Sequence, residues 1–224
     1  ELRALAIARS ISDPRLEERV LLGIGQVQAE ANRLDEALAS HGRALTLARS
    51  VGDPLGETDA LNGMGALLHR QGRHLDARSR FEEALHLAEL GSDRFAESKA
   101  LFGLARVEAS QGLLEAALAR VRASLALVEE VRADVASLDL RASFVASIRE
   151  RHELEIDVLT QLHARHRAQG YDILAFEAGE RARARSLLDG LAGARAGIRE
   201  SVDPTLLDRE ASLGEQLNAR AGRL

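Results

Sequence analysis

The sequence predicts an all-α fold built from a tandem array of antiparallel helix pairs. An aspartate returns every 40 residues, at Asp13, Asp53 and Asp93, and a set of apolar positions returns with it. A fixed period in this range is typical of stacked helical repeats. Between the aspartates, apolar residues recur at intervals of three and four, which is the pattern of amphipathic helices.

The repeating positions are of two kinds, large aliphatic residues and small residues. The small residues indicate places where two helices cross closely, and the aliphatic residues indicate the core between them. Aromatic residues make up only 3% of the chain, so this core must be mainly aliphatic. The matched sets are Leu5, Leu45, Leu85 and Leu125; Gly25, Gly65 and Ala105; and Ala37, Ala77 and Ala117.

Each repeat is expected to begin at its aspartate. Asp13 and Asp53 are followed by proline, and Asp-Pro combines a favoured N-cap with a residue suited to the first helical position. The first helix of each pair should end at Asn32, Gly72 or Gly112, which tolerate a left-handed backbone. We therefore predict a partial repeat over residues 1–12 and complete helix pairs over 13–52, 53–92 and 93–133.

The period breaks after the third pair. The next matching turn glycine after Gly112 is Gly170, about 18 residues later than the period requires. Since 18 residues make five helical turns, the first helix can lengthen while its buried side stays in register. We predict an elongated helix pair over 134–191, with one helix from about Leu138 to about Ala168. A connection at 192–197 and a C-terminal helix near 204–221 would complete a last segment, 192–224.

The second repeat resembles the tetratricopeptide repeat (TPR) family. It has Leu61, Met64, Gly65, Leu68, Gly72, Ala77, Phe81 and Ala84 at the spacing of that family. The first repeat differs because His41 stands where Phe81 would be, and the third has Val121 there. The resemblance implies a right-handed TPR-type superhelix whose first helices, one from each pair, line the concave surface.

A second resemblance is more specific. The segments LRASFVAS (140–147), ERARARSLLD (180–189) and VDP (202–204) are similar to the region that precedes the caspase-like protease domain of bacterial CHAT proteins. This resemblance implies a regulatory, partner-sensing arm, with the protease domain following Leu224. The family's catalytic residues lie in that domain, so none is carried onto this chain. We also expect the chain to be a fragment, because Arg3-Ala4-Leu5 matches Arg43-Ala44-Leu45 within a second helix.

Composition and motifs disfavour several other functions. The chain has no cysteine, no long apolar run and no secretory signal, which favours a cytoplasmic protein without a membrane span. A net charge of −5 does not indicate a nucleic-acid-binding surface. Nucleophile-elbow, phosphate-loop and dinucleotide motifs are missing, so we expect no enzyme activity, no cofactor and no metal. His163 and His166 could share a helix face, but no third ligand accompanies them.

The expected binding surface is the inner face of the first helices, which would form a peptide-binding groove. Its mixture of amide, carboxylate, cationic and aromatic groups suits a protein or peptide ligand. The predicted residues are Arg19, Gln26, Asp59, Asn62, His69, Arg70, Lys99, Phe102 and Arg106. A solvated face without a ligand is the simpler alternative. Two other functions stay open: a self-associating structural array, giving a homo-oligomer, and an RNA-sensing arm that uses the arginines of residues 181–185.

Overall fold

The computed structural model describes residues 2–134 and 138–200, and these form helices joined by short turns. The all-α, TPR-type fold expected from the sequence is confirmed. The helices are α1 (Leu2–Ile11), α2 (Pro14–Glu30), α3 (Leu34–Val51), α4 (Pro54–Arg70), α5 (His74–Gly91), α6 (Arg94–Ser110), α7 (Leu114–Asp134), α8 (Leu138–Arg165) and α9 (Tyr171–Glu200), with a 3₁₀ turn at Arg167–Gln169.

Consecutive helices form the expected pairs: α2 with α3, α4 with α5, and α6 with α7. Neighbouring pairs also contact each other, through α3 with α4 and α5 with α6. The chain divides into two compact units, residues 1–179 and 180–224. The first unit holds α1 to α8 and the start of α9. The second holds the rest of α9 among its described residues.

The repeated aspartates cap the first helix of each pair, as predicted. Asp13, Asp53 and Asp93 each accept two hydrogen bonds from backbone N–H groups two and three residues further on, at 3.0–3.3 Å. Each cap satisfies donors that the helix leaves free, and a cap of this type contributes about 1 kcal/mol to stability. The aspartate that recurs every 40 residues therefore has the same structural role, capping the helix, at the start of each of these three helices.

The predicted turn residues end these helices in the left-handed conformation. Asn32, Gly72 and Gly112 have φ of 59°, 76° and 75°. At each turn the next amide donates to a carbonyl five residues back in the helix, at 2.8–2.9 Å. This bond closes the helix end and reverses the chain direction within two or three residues. The second helix is thereby set antiparallel to the first.

The core lies between the paired helices and is aliphatic and alanine-rich, as expected. Ala44, Ala84, Leu61 and Leu104 are completely buried, and Leu21 is almost so. Small side chains let the helix axes approach, and the leucines fill the space between them.

The elongated helix of the fourth pair is present as α8, with 28 residues. At 1.5 Å per residue it is about 42 Å long. It ends at Arg165, slightly before the predicted end, because a 3₁₀ turn and the left-handed Gly170 follow. Its buried side carries Ile148, Val158, Leu159 and Leu162, as the periodicity predicted.

The expected connection at 192–197 is wrong, because α9 continues as a helix to Glu200. Ala192, Ala194 and Ala196 alternate with other residues through this stretch, and alanine is the strongest helix former. Their propensity outweighs the cost of Gly193 and Gly197. The C-terminal helix expected near 204–221 lies outside the described residues. Among the described helices, none combines the length and the apolar character needed to cross a membrane.

Candidate functional site

A cleft of about 720 Å³ lies on the inner face of the first unit. Three helices, α2, α4 and α6, contribute most of its lining, and they do so through equivalent positions of successive repeats. Leu22, Asn62 and Phe102 are one such set, 40 residues apart, and Gln26, Ala66 and Arg106 are another. The repeat thus places one side chain from each pair at the same height of the cleft wall.

Eight of the nine residues predicted for the groove line this cleft. They are Gln26, Asp59, Asn62, His69, Arg70, Lys99, Phe102 and Arg106. The ninth, Arg19, is exposed and lies outside the lining. Arg19 occupies the repeat position of Asp59 and Lys99, but those two side chains pair with each other across neighbouring helices. The prediction of Arg19 as a lining residue is therefore corrected.

Glycines in the first helices let two second-helix side chains reach the cleft. His41 of α3 and Phe81 of α5 both line it, although they lie on the second helices of their pairs. A Cβ added at Gly63 would lie 2.5 Å from the His41 ring, and one at Gly103 would lie 2.2 Å from the Phe81 ring. Only glycine leaves room for these rings. Glycines at equivalent repeat positions are a signal in the sequence that these two rings reach the cleft, and the predicted groove did not include them.

Two polar side chains in the cleft wall are buried. Asn62 is 5% exposed, and its Nδ2 donates to the Ala96 carbonyl at 3.5 Å. His41 is 7% exposed, and burial lowers its pKa; the Asp59 charge opposes this lowering in part, and the Lys99 charge adds a smaller lowering. Buried polar groups of this kind stabilise a fixed geometry rather than a mobile contact surface. Asn62 is thus more enclosed than an exposed groove residue would be.

The cationic residues of the cleft differ in how far their charge is neutralised. Lys99 Nζ lies 2.6 Å from Asp59 Oδ1, so its charge is paired. Arg70 donates to the Ala29 carbonyl at 2.9 Å and to Asn32 Oδ1 at 3.0 Å, both neutral acceptors. Within the described ranges, neither Arg70 nor Arg106 has a carboxylate partner. Among the eight predicted residues that line the cleft, the positive charges without a carboxylate partner in the described ranges therefore belong to Arg70 and Arg106.

His69 adds a neutral polar group beside them. Burial, followed by the charges of Arg106 and the nearby His74, lowers its pKa to about 4. The His69 and His74 rings are 5.2 Å apart, centroid to centroid. At neutral pH His69 is uncharged, so it supplies a hydrogen-bonding nitrogen without adding to the positive charge.

The long helix α8 also contributes to the cleft, through Glu150 and Arg151. Arg151 is 2% exposed and its guanidinium lies over the Phe102 ring, with Cζ 4.7 Å from the ring centroid. The 40-residue period could not reveal these residues, because α8 belongs to the pair in which the period fails. Glu150 and Arg151 are therefore cleft residues that the repeat pattern could not predict.

The histidines considered as metal ligands point to separate carboxylates. His163 Nδ1 lies 3.6 Å from Asp172, and His166, beyond the end of α8, lies 4.0 Å from Glu115. In residues 2–134 and 138–200, no group of three or more His, Asp or Glu side chains could hold a metal. The groups that line the cleft are hydrogen-bonding, charged and aromatic side chains, which can recognise a ligand without a metal.

Comparison with known proteins agrees with this architecture. Residues 57–130 match the tetratricopeptide repeat family. No curated protein sequence matches the chain. The structure is similar to BtubC (BKLC) from P. vanneervenii, with a TM-score of 0.60 and 17% identity, covering 80% of this chain and 66% of BtubC.

Two further solved structures share the fold. Aspartyl phosphate phosphatase F from Bacillus subtilis has a TM-score of 0.60 and 13% identity, covering 76% of this chain and 42% of the phosphatase. The nearly identical TPR-like repeats of a kinesin light chain candidate from Podosopora anserina have a TM-score of 0.50 and 12% identity, covering 83% of this chain and 98% of theirs.

These structural similarities show the fold alone. The chain spans less than two thirds of BtubC and of the phosphatase. The repeat match together with the fold supports a protein–protein interaction module, since TPR folds are in general non-enzymatic scaffolds that bind partner proteins.

Proposed function

We propose that this chain is a protein-interaction arm whose inner cleft binds an extended, acidic segment of a partner protein. The observation that carries the proposal is the position of Arg70 and Arg106. Both arginines line the cleft, both are exposed, and neither has a carboxylate partner within the described part of the chain. The protein as a whole carries a net charge of −5, whereas the cleft lining holds four cationic side chains and three carboxylates, Glu30, Asp59 and Glu150.

The remaining lining suits a peptide. The cleft volume of about 720 Å³ lies within the usual range for a ligand site. Phe95 and Phe102 offer aromatic surface to apolar side chains, and Gln26 offers an amide that can pair with a peptide backbone. An extended segment brings its own backbone donors and acceptors, which such side chains can meet at several points.

Charge gives the cleft its preference among peptides. Because Lys99 is already paired with Asp59, Arg70 and Arg106 supply the attraction for acidic side chains. Arginine binds carboxylates through two parallel N–H groups, which adds direction to the attraction. Both contacts lie at the surface, so we expect the binding to weaken as salt concentration rises.

The partner-sensing role extends this proposal. The resemblance of residues 140–147 and 180–189 to CHAT proteins supports a cytoplasmic bacterial protein in which this chain precedes a caspase-like protease domain. In that arrangement, occupation of the cleft would control the protease. The coding sequence beyond residue 224 tests this part, since it should encode an α/β domain with a His and Cys pair. A different domain there would refute the link to a protease.

The binding proposal is tested by selecting peptides from a random nine-residue library on the purified chain. Selected peptides should be enriched in Asp and Glu, and their affinity should fall as NaCl is raised from 50 to 500 mM. The variant Arg70→Glu/Arg106→Glu should lose this binding while keeping the helix content measured by circular dichroism. Arg19→Glu is the matched control, because Arg19 is an exposed arginine on the same inner face outside the cleft lining.

Two results would refute the proposal. The first is selection without acidic enrichment. The second is undiminished binding by the folded double variant, which would place the binding surface elsewhere.

A further inference from the structure

We infer that one corner of the cleft, formed by Phe102, Arg106 and Arg151, is a subsite for a single oxyanion group, a carboxylate or a phosphoryl group, on the bound peptide. This inference rests on the proposed peptide binding and goes beyond it by placing one anionic side chain at a defined point. The corner lies where α6 meets α8. We call it the oxyanion corner.

Two guanidinium groups lie near one aromatic ring in this corner. Arg151 Cζ is 4.7 Å from the centroid of Phe102, and Arg106 Cζ is 5.9 Å from it. Both distances fall within the range of cation–π contacts, so the ring attracts both groups. Because the two arginines come from different helices, a ligand that contacts both joins α6 to α8.

Two serine side chains hold the Arg151 guanidinium in place. Its Nε donates to Ser124 Oγ at 2.8 Å, and one terminal nitrogen donates to Ser98 Oγ at 3.5 Å. Ser124 Oγ in turn donates to the Ser98 carbonyl at 2.7 Å. Donors that are fixed before the ligand arrives need no reorganisation on binding, which raises their contribution.

The buried guanidinium keeps its charge. Burial lowers the pKa of Arg151 to about 10, while the Glu150 carboxylate raises it. At neutral pH the group therefore remains protonated. A positive charge at 2% exposure acts through a medium of lower dielectric constant than water, so its attraction for an anion in the cleft is stronger than that of a surface arginine.

Other charges near the corner define what a ligand must compete with. Glu150 is exposed, also lines the cleft, and lies next to Arg151 in the sequence. Lys99 lines the same cleft but is paired with Asp59. Glu150 is therefore a carboxylate that lines the cleft together with Arg106 and Arg151. Glu150 is thus a built-in competitor, and its removal should strengthen the attraction for a ligand anion.

The chemistry of the ligand group follows from the donors. Guanidinium groups bind planar carboxylates and phosphoryl groups through paired N–H donors. The Phe102 ring, partly buried in the core cluster around Leu118 and Leu159, offers apolar contact to the methylene groups of the ligand side chain. Glutamate, aspartate and phosphoserine side chains fit these requirements, whereas a neutral amide lacks the charge.

The first test uses the acidic peptide that binds best in the library selection. Each of its acidic residues is replaced by Gln in turn, and each peptide is titrated against the unmodified chain, Glu150→Gln and Arg106→Gln. We expect Glu150→Gln to tighten binding about two- to fivefold, as removal of one exposed charge repulsion should. We expect Arg106→Gln to weaken it about five- to thirtyfold. Arg19→Gln is the control and should change neither.

The decisive feature is coupling to one peptide position. Both effects should vanish for the one peptide whose Gln replaces the acid in the corner, and persist for the others. A peptide with phosphoserine at that position distinguishes the two sources of the oxyanion: tighter binding than glutamate indicates a phosphoryl site, weaker binding a carboxylate site. Effects of the two variants that are equal for every peptide would overturn the oxyanion corner while leaving the proposed acidic-peptide binding intact.

A second measurement does not depend on any peptide. Inorganic phosphate is titrated into the ¹⁵N-labelled chain, and the arginine Nε–H signals are followed by NMR. The signals of Arg106 and Arg151 should shift together and saturate, and Arg106→Gln should reduce the shift of Arg151. If peptide selection fails but these shifts occur, the proposed function falls and the anion subsite stands. Absence of saturable shifts at Arg106 and Arg151 overturns the subsite.

Discussion

His41 fills, in the first repeat, the same slot that Phe81 fills in the second. The two residues are 40 positions apart. A Cβ added at Gly25 or Gly63 would lie within 2.8 Å of the His41 imidazole, and one added at Gly65 or Gly103 would lie within 2.8 Å of the Phe81 ring. Each ring is thus held between the glycines of two successive first helices. The slot suits a phenyl ring, and in the first repeat it holds a buried imidazole whose Nδ1 has no hydrogen-bond partner within the described structure.

The variant His41→Phe should therefore stabilise the fold. The phenyl ring removes a buried, unpartnered nitrogen, and leaving such a group unsatisfied costs about 1–3 kcal/mol. We expect the free energy of unfolding in urea to rise by roughly 1 kcal/mol at pH 7. The reciprocal variant Phe81→His is the matched control and should lower it. A loss of stability in His41→Phe would show that the two slots differ in shape and that the imidazole is required where it stands.

The glycines at the helix crossings give a second prediction. A Cβ at Gly65 would lie 2.8 Å from Phe81, closer than real Cβ contacts, and the ring is 4% exposed and cannot move into solvent. Gly65→Ala should therefore lower stability by roughly 1–3 kcal/mol through overpacking. Gly65→Leu should lower it at least as much.

Gly23→Ala is the matched control for this effect. Gly23 also lies inside a first helix, α2, but a Cβ there would meet nothing within 4 Å. Alanine is the better helix former, so this variant should gain about 0.5–1 kcal/mol. Thermal unfolding of both variants measures the difference. An equal response of the two proteins would mean that the crossing at Gly65 is looser than the structure indicates.

The sequence predicted those features that have a local or periodic cause. The capping aspartates, the left-handed turns at Asn32, Gly72 and Gly112, and the length of α8 all follow from short-range chemistry repeated at a fixed interval. The same interval located eight lining residues, since equivalent positions of successive helices face the same way. Periodicity identifies a face of the helices, but the absence of Arg19 from the lining shows that a repeat position alone does not place a side chain in the cleft.

The repeat pattern could not predict which side chains pair with each other, or which residues of the elongated helix pair enter the cleft. The Lys99–Asp59 contact neutralises a cation that the pattern treated as free, because a period shows which residues are neighbours but not which rotamers meet. Arg151 enters the cleft from α8, where the register is shifted. At 192–197 the helix propensity of alternating alanines overrode glycines that, read alone, indicate a turn.

The depressed pKa of His69 predicts loss of stability on acidification. In the folded chain this pKa is about 4, against 6.5 for the free side chain. As pH falls below about 6.5, His69 becomes protonated in the unfolded state but stays neutral in the folded state. The stability of the fold therefore decreases as pH is lowered from about 6.5 to 4. At pH 5 this amounts to at most about 2 kcal/mol, reduced by the partial exposure of the ring.

His69→Gln isolates this contribution, because glutamine does not titrate. The difference in unfolding free energy between pH 7 and pH 5 should be smaller in His69→Gln than in the unmodified chain. His86→Gln, at an exposed position of α5 outside the cleft lining, is the control and should leave the difference unchanged. If both variants show the pH dependence of the unmodified chain, His69 does not resist protonation in the fold.

Glu18 should show the opposite dependence on pH. It is 1% exposed, its Oε2 has no hydrogen-bond partner in the described structure, and burial, followed by the charges of Asp53 and Asp59, raises its pKa above the usual 4.5. A raised folded pKa means that the folded state favours the protonated carboxyl. Its contribution is therefore fully present below about pH 4.5 and is lost as pH rises through the folded pKa.

The variant Glu18→Gln keeps the size of the side chain and removes the charge. It should raise the free energy of unfolding at pH 7, by an amount on the order of 1 kcal/mol, because the variant no longer buries an ionised group on folding. The gain should shrink at pH 4, where Glu18 is mostly protonated in both states of the unmodified chain. Glu82→Gln, an exposed carboxylate of α5, serves as the control and should show no such pH-dependent gain. Urea unfolding at the two pH values measures both variants. A gain for Glu18→Gln that is the same at pH 4 and pH 7 would mean that amide packing, and not the loss of a buried charge, causes the stabilisation.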